Sequence, residues 1–208
     1  KNTGGMLGVE YAYQALNEVT GGILPEELIS IIGFQGTGKT WLLLWLLQHI
    51  WSTGKKVVLF TREMSPEQMA RRLDAMTFSL PFQELKKGRM SFEVEHRYFD
   101  ELLHLKDRPD FIISADEDAG SGVQSLRAKL EEYQPDVWAV DGAYLLADDR
   151  KGQTGWERMM HTTQDIKRVC RMLQMPCILT SQADAASQKE TKGIQLVNAA
   201  FSKMSVGA

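Results

Sequence analysis

A glycine-rich segment at residues 33–40 contains the side chains with the clearest capacity for chemistry. Its residues are Gly33, Phe34, Gln35, Gly36, Thr37, Gly38, Lys39 and Thr40. They fit the pattern G-x-x-x-x-G-K-[ST], in which glycines let backbone N–H groups turn inward around a phosphate chain. Lys39 can reach the β- and γ-phosphates, and the Thr40 hydroxyl can ligate Mg²⁺. The segment therefore predicts a nucleoside triphosphate site with Mg²⁺.

The alternative interpretation of this segment is a glycine turn that merely precedes a buried helix. Chance alone produces the pattern in on the order of 1% of chains of this length. A β-branched run precedes the segment and an apolar helical run follows it, which is the context that a phosphate-binding loop requires. The N-terminus of that helix would add partial positive charge at the phosphates. These features favour the phosphate site.

Three polar residues follow predicted strands, at positions where such a site would need them. Asp141 can hold a Mg²⁺-bound water opposite Thr40, although an Asp-Gly turn is an alternative. Glu63 can act as general base on the attacking water, or it can simply lead into the helix cap at Ser65. The Gln182 amide can sense a γ-phosphate through a hydrogen bond, and a solvated glutamine is equally compatible with the pattern.

The elements that must position these residues alternate along the whole chain. Apolar runs predict strands at 28–32, 57–60, 111–114, 137–140 and 177–180, each apolar on both sides. Helices are predicted at 41–51, 66–78, 83–87, 91–105, 121–134 and 156–173, and a short one at 11–16. This alternation predicts an α/β fold, a doubly wound, mostly parallel sheet flanked by helices, with sites at the carboxyl ends of the strands. We expect a lead-in segment at 1–22 and one domain at 23–208.

Composition narrows the class of protein. The chain has 208 residues and a net charge of −3, so overall charge gives no argument for nucleic-acid binding. Its two cysteines and four histidines form no disulfide framework or ligand-spaced cluster. The longest apolar run is far too short to span a bilayer, and no signal peptide is visible. We therefore expect a cytoplasmic protein without membrane contact.

Four segments together resemble a known family, the DnaB-type hexameric replicative helicases, in their RecA-like, P-loop NTPase core. They are the loop at 33–40, Thr-Arg-Glu-Met-Ser-Pro-Glu-Gln-Met at 61–69, Val-Asp-Gly-Ala-Tyr-Leu-Leu at 140–146 and Leu-Thr-Ser-Gln at 179–182. Their order and spacing match, and the lead-in at 8–25 is similar as well. The Glu-Met-Ser stretch is the most family-specific piece, because the loop alone would match many ATPases. The resemblance extends over residues 8–208.

The resemblance implies a role for each candidate residue. Lys39 and Thr40 would bind phosphate and Mg²⁺, with ATP as the nucleotide. Glu63 would be the catalytic base, Asp141 the carboxylate on the metal side, and Gln182 the sensor that links the γ-phosphate to DNA-facing loops.

The family also implies a working assembly. Its members hydrolyse ATP at the interfaces of a homo-hexamer, translocate on single-stranded DNA and unwind duplex, and they work with primase and a helicase loader. The family's arginine finger is expected beyond Ala208, so the ATPase domain is expected to be incomplete at its C-terminus. The family's N-terminal primase-recruiting domain is likewise expected outside these 208 residues.

Two segments depart from the family pattern. After the acidic strand the family has Asp-Tyr, whereas this chain has Asp-Gly-Ala-Tyr at 141–144. The family's central DNA-contact loop carries Arg-Glu before Ser-Gly, and the nearest equivalent here is Ala-Ala-Phe-Ser at 199–202. DNA contacts at that loop would need backbone N–H groups, Lys203 or charges from elsewhere.

Positional candidates for DNA binding lie in loops after strand ends. They are Arg150, Lys151, Lys189, Lys192 and Lys203. Composition alone favours ordinary solvated loops at these positions, so the candidates rest on position only. Arg72, on the helix after Glu63, is a candidate contact for the nucleotide base, and an ordinary surface arginine is the alternative.

Two other functions share the same core. A RecA-like recombination or repair ATPase would form open filaments instead of rings. A non-motor loader or switch would use ATP only to gate partner binding, and Glu63 argues against it because a pure switch has less need of a general base.

Overall fold

A five-stranded parallel sheet forms the centre of the molecule. The structure, a computed structural model, describes residues 7–115, 122–147, 150 and 155–183. The strands are β1 (Leu28–Gly33), β2 (Val57–Thr61), β3 (Phe111–Ser114), β4 (Val137–Asp141) and β5 (Cys177–Gln182). Their spatial order is β1-β5-β4-β2-β3, and all neighbours pair in parallel. The predicted doubly wound α/β sheet is confirmed.

Helices connect these strands in chain order. They are α1 (Gln14–Thr20), α2 (Lys39–Ser52), α3 (Pro66–Thr77), α4 (Phe82–Lys87), α5 (Phe92–Leu103), α6 (Val123–Tyr133) and α7 (Gly155–Leu173). Ser65 caps α3, because its side chain accepts from the Gln68 N–H while Gln68 bonds back to the Ser65 N–H. With Pro66 at the first position, this capping box fixes where the helix after β2 begins.

The apolar core lies on both faces of the sheet. Alternate residues of β2 point to opposite sides, so Val57 and Leu59 pack with α2 while Val58 and Phe60 pack with α6 and α7. Every residue of β2 and β4 is buried. The expectation of burial on both sides is wrong for β1 and β3, whose residues are mostly half-buried. These two strands are the edges of the described sheet.

The lead-in packs against the domain. Its helix α1 begins at Gln14 and not at residue 11 as predicted, because the Tyr11 backbone is held instead by two hydrogen bonds with the Asn17 side chain. Val9 pairs with the fully buried Ile23 in an isolated antiparallel bridge. The proposed boundary between residues 22 and 23 remains a prediction.

Hydropathy gives one further observation. In the part of the chain that the structure describes, we find no helix with the length and apolarity needed to cross a bilayer.

Candidate nucleotide-binding site

The phosphate-loop segment joins β1 to α2 at the carboxyl edge of the sheet. Gly36 and Gly38 have φ values of 76° and 91°, which residues with a Cβ rarely adopt. At Gly33 a Cβ would lie 2.7 Å from the Thr37 hydroxyl oxygen, so a larger residue there would displace the Thr37 side chain. The result is a tight backbone cradle that opens at the N-terminus of the 14-residue helix α2.

The loop side chains are held inside this cradle. Lys39 Nζ donates a hydrogen bond to the Phe34 carbonyl oxygen at 2.9 Å, and the Thr37 hydroxyl donates to the same oxygen at 2.7 Å. The ammonium group therefore lies over the loop, next to the helix N-terminus. Glycine backbone, cationic side chain and helix dipole together fit the phosphate groups of a nucleotide.

Asp141 lies beside the loop, at the end of β4. Both of its carboxylate oxygens lie 3.2 Å from the Thr40 hydroxyl. The Thr180 hydroxyl donates to Asp141 Oδ1 at 2.8 Å and accepts from the Gly142 N–H, also at 2.8 Å. The Asp141 side chain is therefore oriented from β5 on one side and from the loop on the other.

The surroundings of Asp141 affect its charge. The residue is fully buried. Burial raises the pKa of its carboxyl, hydrogen bonds from Thr180 and Thr40 lower it, and the Glu63 charge raises it. A hydroxyl and a carboxylate at this separation are the hard oxygen donors that Mg²⁺ prefers. The residues present thus fit the metal that the sequence predicts.

Glu63 and Gln182 are joined by a third side chain. The Tyr144 hydroxyl donates to Glu63 Oε1, and Gln182 Nε2 donates to the Tyr144 oxygen at 3.0 Å. Tyr144 lies in a 3₁₀ turn, Ala143–Leu145, that begins after Gly142. Burial raises the pKa of the Tyr144 phenol well above its usual range, and the bond to Glu63 raises it further.

Arg72 and Trp41 form the remaining wall. The Arg72 guanidinium carbon lies 5.1 Å from the centroid of the Trp41 ring, a cation–π distance. Burial lowers the pKa of Arg72, and the negative charge of Asp141 opposes this effect. Trp41 also contacts Phe82, with 5.1 Å between the ring centroids and the two rings nearly perpendicular. Trp41 and Arg72 thus form a half-buried platform.

These groups surround one cavity, which we call the cleft. It measures about 580 Å³ and is lined by Lys39, Thr40, Glu63, Arg72, Tyr144 and Gln182, among others. The volume lies in the range of small-molecule sites. The structure thus brings the predicted residues of four separate segments together around one space.

Of the five DNA-binding candidates, Arg150 alone lies within the residues that the structure describes. Arg150 forms an ion pair with Asp165 of α7, and Asp165 also pairs with Arg168 at 2.7 Å. Lys151, Lys189, Lys192 and Lys203 lie outside the described residues. Their proposed DNA contacts remain predictions.

Thr180 and Trp41 were not among the predicted site residues, and Tyr144 was noted only within a departure from the family pattern. Thr180 carried a weak signal, because it is a polar residue in an apolar strand next to the predicted Gln182. Gly142 carried another, because a glycine directly after a strand-end carboxylate indicates a turn that can return the chain to the site.

Fold and cleft together define a class. They are those of a P-loop nucleotide-binding domain with a RecA-like core. The phosphate-binding loop follows β1, the carboxylate ends β4, and β5 lies between these two strands. The sequence model of a protein family, the DnaB-like helicase C-terminal domain, matches residues 8–195 of this chain. The chain belongs to this family.

Individual relatives agree with this assignment. The replicative DNA helicase DnaB of Nostoc sp. is 26% identical over 189 residues, which are 88% of this chain and 21% of that protein. The chain therefore spans well under two thirds of that relative. A solved ATPase domain superposes with a TM-score of 0.85 at 20% identity, covering 95% of this chain and 72% of the other. A DnaB-like replicative helicase, solved in a study of its interactions with primase, superposes with a TM-score of 0.82 at 20% identity, covering 92% and 47%.

Proposed function

We propose that this chain is the ATP-hydrolysing motor domain of a replicative DNA helicase. The observation that carries the proposal is the Thr40–Asp141 pair at 3.2 Å beside a glycine cradle, with Glu63 facing the same cleft. Phosphoryl transfer depends on positioning and charge, and these groups provide both. Membership of the DnaB-like family supports the same function.

The predicted site residues each have a role in this function. Lys39 exchanges the Phe34 carbonyl for the β- and γ-phosphates. Thr40 and Asp141 would hold Mg²⁺, which supplies charge neutralisation to the phosphates when bound. Glu63 accepts a proton from the attacking water. Gln182 donates its amide hydrogen bond toward the γ-phosphate and transmits its presence to the loop after β5.

The platform of Arg72 and Trp41 suits the nucleotide base. A planar guanidinium backed by an indole offers a flat surface on which a base can stack. Stacking contributes binding without reading the edge of the base, so it supports ATP binding without excluding other purine nucleotides.

The partners of the whole protein extend the proposal. We infer single-stranded DNA as the track, a homo-hexamer as the working assembly, and primase and a loader as partners, all in the cytoplasm. Family membership supports these inferences, and one structural neighbour was described with its interactions with primase.

Forked-duplex unwinding by the purified protein tests the proposal. We expect ATP-dependent strand separation and an ATPase rate that single-stranded DNA stimulates, both abolished in Lys39→Ala. Electron microscopy with ATP should show closed rings. Filaments with strand exchange would favour the recombination ATPase instead, and nucleotide-gated binding without hydrolysis would favour the loader or switch.

A further inference from the structure

The hydrogen-bonded chain from Gln182 through Tyr144 to Glu63 has no counterpart among the roles assigned above. Its members come from the ends of β5, β4 and β2, and Tyr144 is 81 residues from Glu63 and 38 from Gln182 in sequence. Tyr144 donates to the carboxylate and accepts from the amide, so one hydroxyl uses both of its functions at once. The chain directly connects the proposed base with the proposed γ-phosphate sensor.

The backbone around Tyr144 is shaped for this contact. Gly142 has a φ of 83°, and a Cβ at this position would lie 3.0 Å from Glu63 Cγ. The Gly142 N–H is fixed by the Thr180 hydroxyl at 2.8 Å. The turn that follows is closed by a bond from the Leu145 N–H to the Gly142 carbonyl at 2.9 Å. Tyr144 is therefore carried to Glu63 by a turn that needs a glycine at its start.

We propose that Tyr144 is a positioning residue for ATP hydrolysis, which orients the Glu63 carboxylate and couples it to Gln182. The inference rests on the proposed function. Glu63 is exposed, so a free carboxylate there would sample several rotamers. The bond from Tyr144 holds one oxygen and leaves the other available to the attacking water. A movement of Gln182 toward the γ-phosphate would reach Glu63 through the shared hydroxyl.

This role differs from that of a packing residue. If the Tyr144 ring only filled space, removing its hydroxyl would leave hydrolysis unchanged. If the hydroxyl positions the base, its loss acts on the chemical step and leaves nucleotide binding intact.

Tyr144→Phe, compared with Tyr98→Phe, makes this distinction. The Tyr98 hydroxyl also donates to a carboxylate, Asp74 Oδ2 at 2.8 Å, but between α5 and α3 and outside the lining of the cleft. We expect Tyr144→Phe to lower kcat by roughly 10- to 100-fold with an unchanged Kd for ATP by isothermal titration. Tyr98→Phe should keep the wild-type kcat. A wild-type kcat in Tyr144→Phe overturns the proposal.

A double-mutant cycle tests the link to Gln182. If the Tyr144 hydroxyl couples Gln182 to Glu63, the double variant Tyr144→Phe with Gln182→Ala should have a kcat no lower than that of the weaker single variant. If the fold-losses in kcat of the two single variants multiply in the double variant, the coupling is refuted. Failure of the whole protein, with the segment that follows Ala208, to hydrolyse ATP would instead overturn the proposed function, and the positioning role with it.

A second cycle does not depend on activity. Thermal unfolding of Tyr144→Phe, Glu63→Ala and the double variant should show a loss in Tm smaller than the sum of the single losses, because either change removes the same bond. Additive losses would show that the bond does not hold Glu63, and they would overturn the proposal even in an active enzyme.

Discussion

At the scale of single residues, the positive charge of Lys39 and the negative charge of Glu63 have different surroundings in the cleft. Lys39 is held by a backbone carbonyl at 2.9 Å and can exchange that partner for phosphate. Glu63 is exposed and is oriented by a phenol. Under the proposed function the cation would serve binding and the carboxylate would serve the chemical step, so substitutions at the two positions should have different effects.

Lys39→Ala and Glu63→Gln should separate binding from turnover. The first removes a positive charge from the phosphates, so nucleotide affinity and turnover should both collapse. The second keeps the shape of the side chain and loses the base, so turnover should fall by roughly 10²–10⁴ while binding survives. Equilibrium dialysis and phosphate release measure the two quantities. Glu67→Gln, on the first turn of α3, is the control, and near-normal turnover in Glu63→Gln would remove Glu63 from the role of base.

The metal should depend on the paired oxygens. Thr40→Val keeps the volume and loses the hydroxyl, and Asp141→Asn loses the negative charge. We expect both variants to lose the tightening of nucleotide binding that Mg²⁺ produces, measured as the ratio of Kd without and with the ion. Thr53→Val, at the other end of α2, should keep the wild-type ratio. An unchanged ratio in either cleft variant would contradict its assignment.

At the scale of elements, the sheet sets the position of every group in the cleft. Lys39, Glu63, Asp141 and Gln182 lie at or just beyond the carboxyl ends of β1, β2, β4 and β5, which run in parallel. The register pairs Gly33 with Gln182 and Thr61 with Asp141. Strand order thus makes neighbours of residues that are distant in sequence.

The turn after β4 provides a test at this scale. Gly142→Ala adds a Cβ at a φ of 83° and 3.0 Å from Glu63 Cγ. Gly54→Ala meets the same backbone strain at a φ of 87° but has no atom within 4 Å. Both should lose about 1–2 kcal/mol of unfolding free energy from strain. Gly142→Ala alone should also lose ATPase activity, and equal activity in the two variants would exclude a steric role for Gly142.

Much of this architecture could be predicted from the sequence. Pro66, Gly88 and the runs of β-branched residues mark where elements begin and end, because these signals act over a few residues. The contact of Tyr144 with Glu63 could not be predicted, since no local rule determines which strand ends become neighbours. The Arg72–Trp41 contact was missed because it joins α2 to α3, and no local signal determines which helix faces pack together. The start of α1 was missed because the Asn17 side chain competes for the Tyr11 backbone.

At the scale of the whole molecule, the cleft and the start of the lead-in lie at opposite ends of the strands. Val9 and Ile23 line a groove with Pro135 and Pro176, which precede β4 and β5. The cleft lies at the other end of those strands. Substitutions at Val9 should therefore lower the stability of the domain before they affect the chemistry of the cleft.

The pH dependence of stability should report the half-buried hydrogen bond between Tyr98 of α5 and Asp74 of α3. Burial raises the pKa of Asp74, and the hydrogen bond from Tyr98 lowers it only in part. The folded protein therefore binds more protons than the unfolded chain at pH values above about 3.9. The contribution of Asp74 to stability is full below that pH and is lost as the pH rises through the folded-state pKa.

Asp74→Asn should remove this dependence, because a neutral amide can still accept from Tyr98 through its carbonyl. We expect the variant to gain unfolding free energy relative to wild type as the pH rises from about 4 toward 7. Urea unfolding at a series of pH values measures the difference. Asp141 has the same effect in both proteins, so it cancels. A difference that does not change with pH would contradict the assignment.

The contact between Trp41 and Arg72 places an intrinsic fluorophore, the Trp41 indole, in the wall of the cleft. Of the tryptophan side chains that the structure describes, Trp41 lines the cleft, whereas Trp138 is fully buried in the core and Trp51 donates to the Pro109 carbonyl. A base that enters between solvent and the indole changes the polarity around that fluorophore. Intrinsic emission should therefore follow nucleotide binding without any label, and Trp41→Phe should abolish the response while leaving the emission of the buried tryptophans.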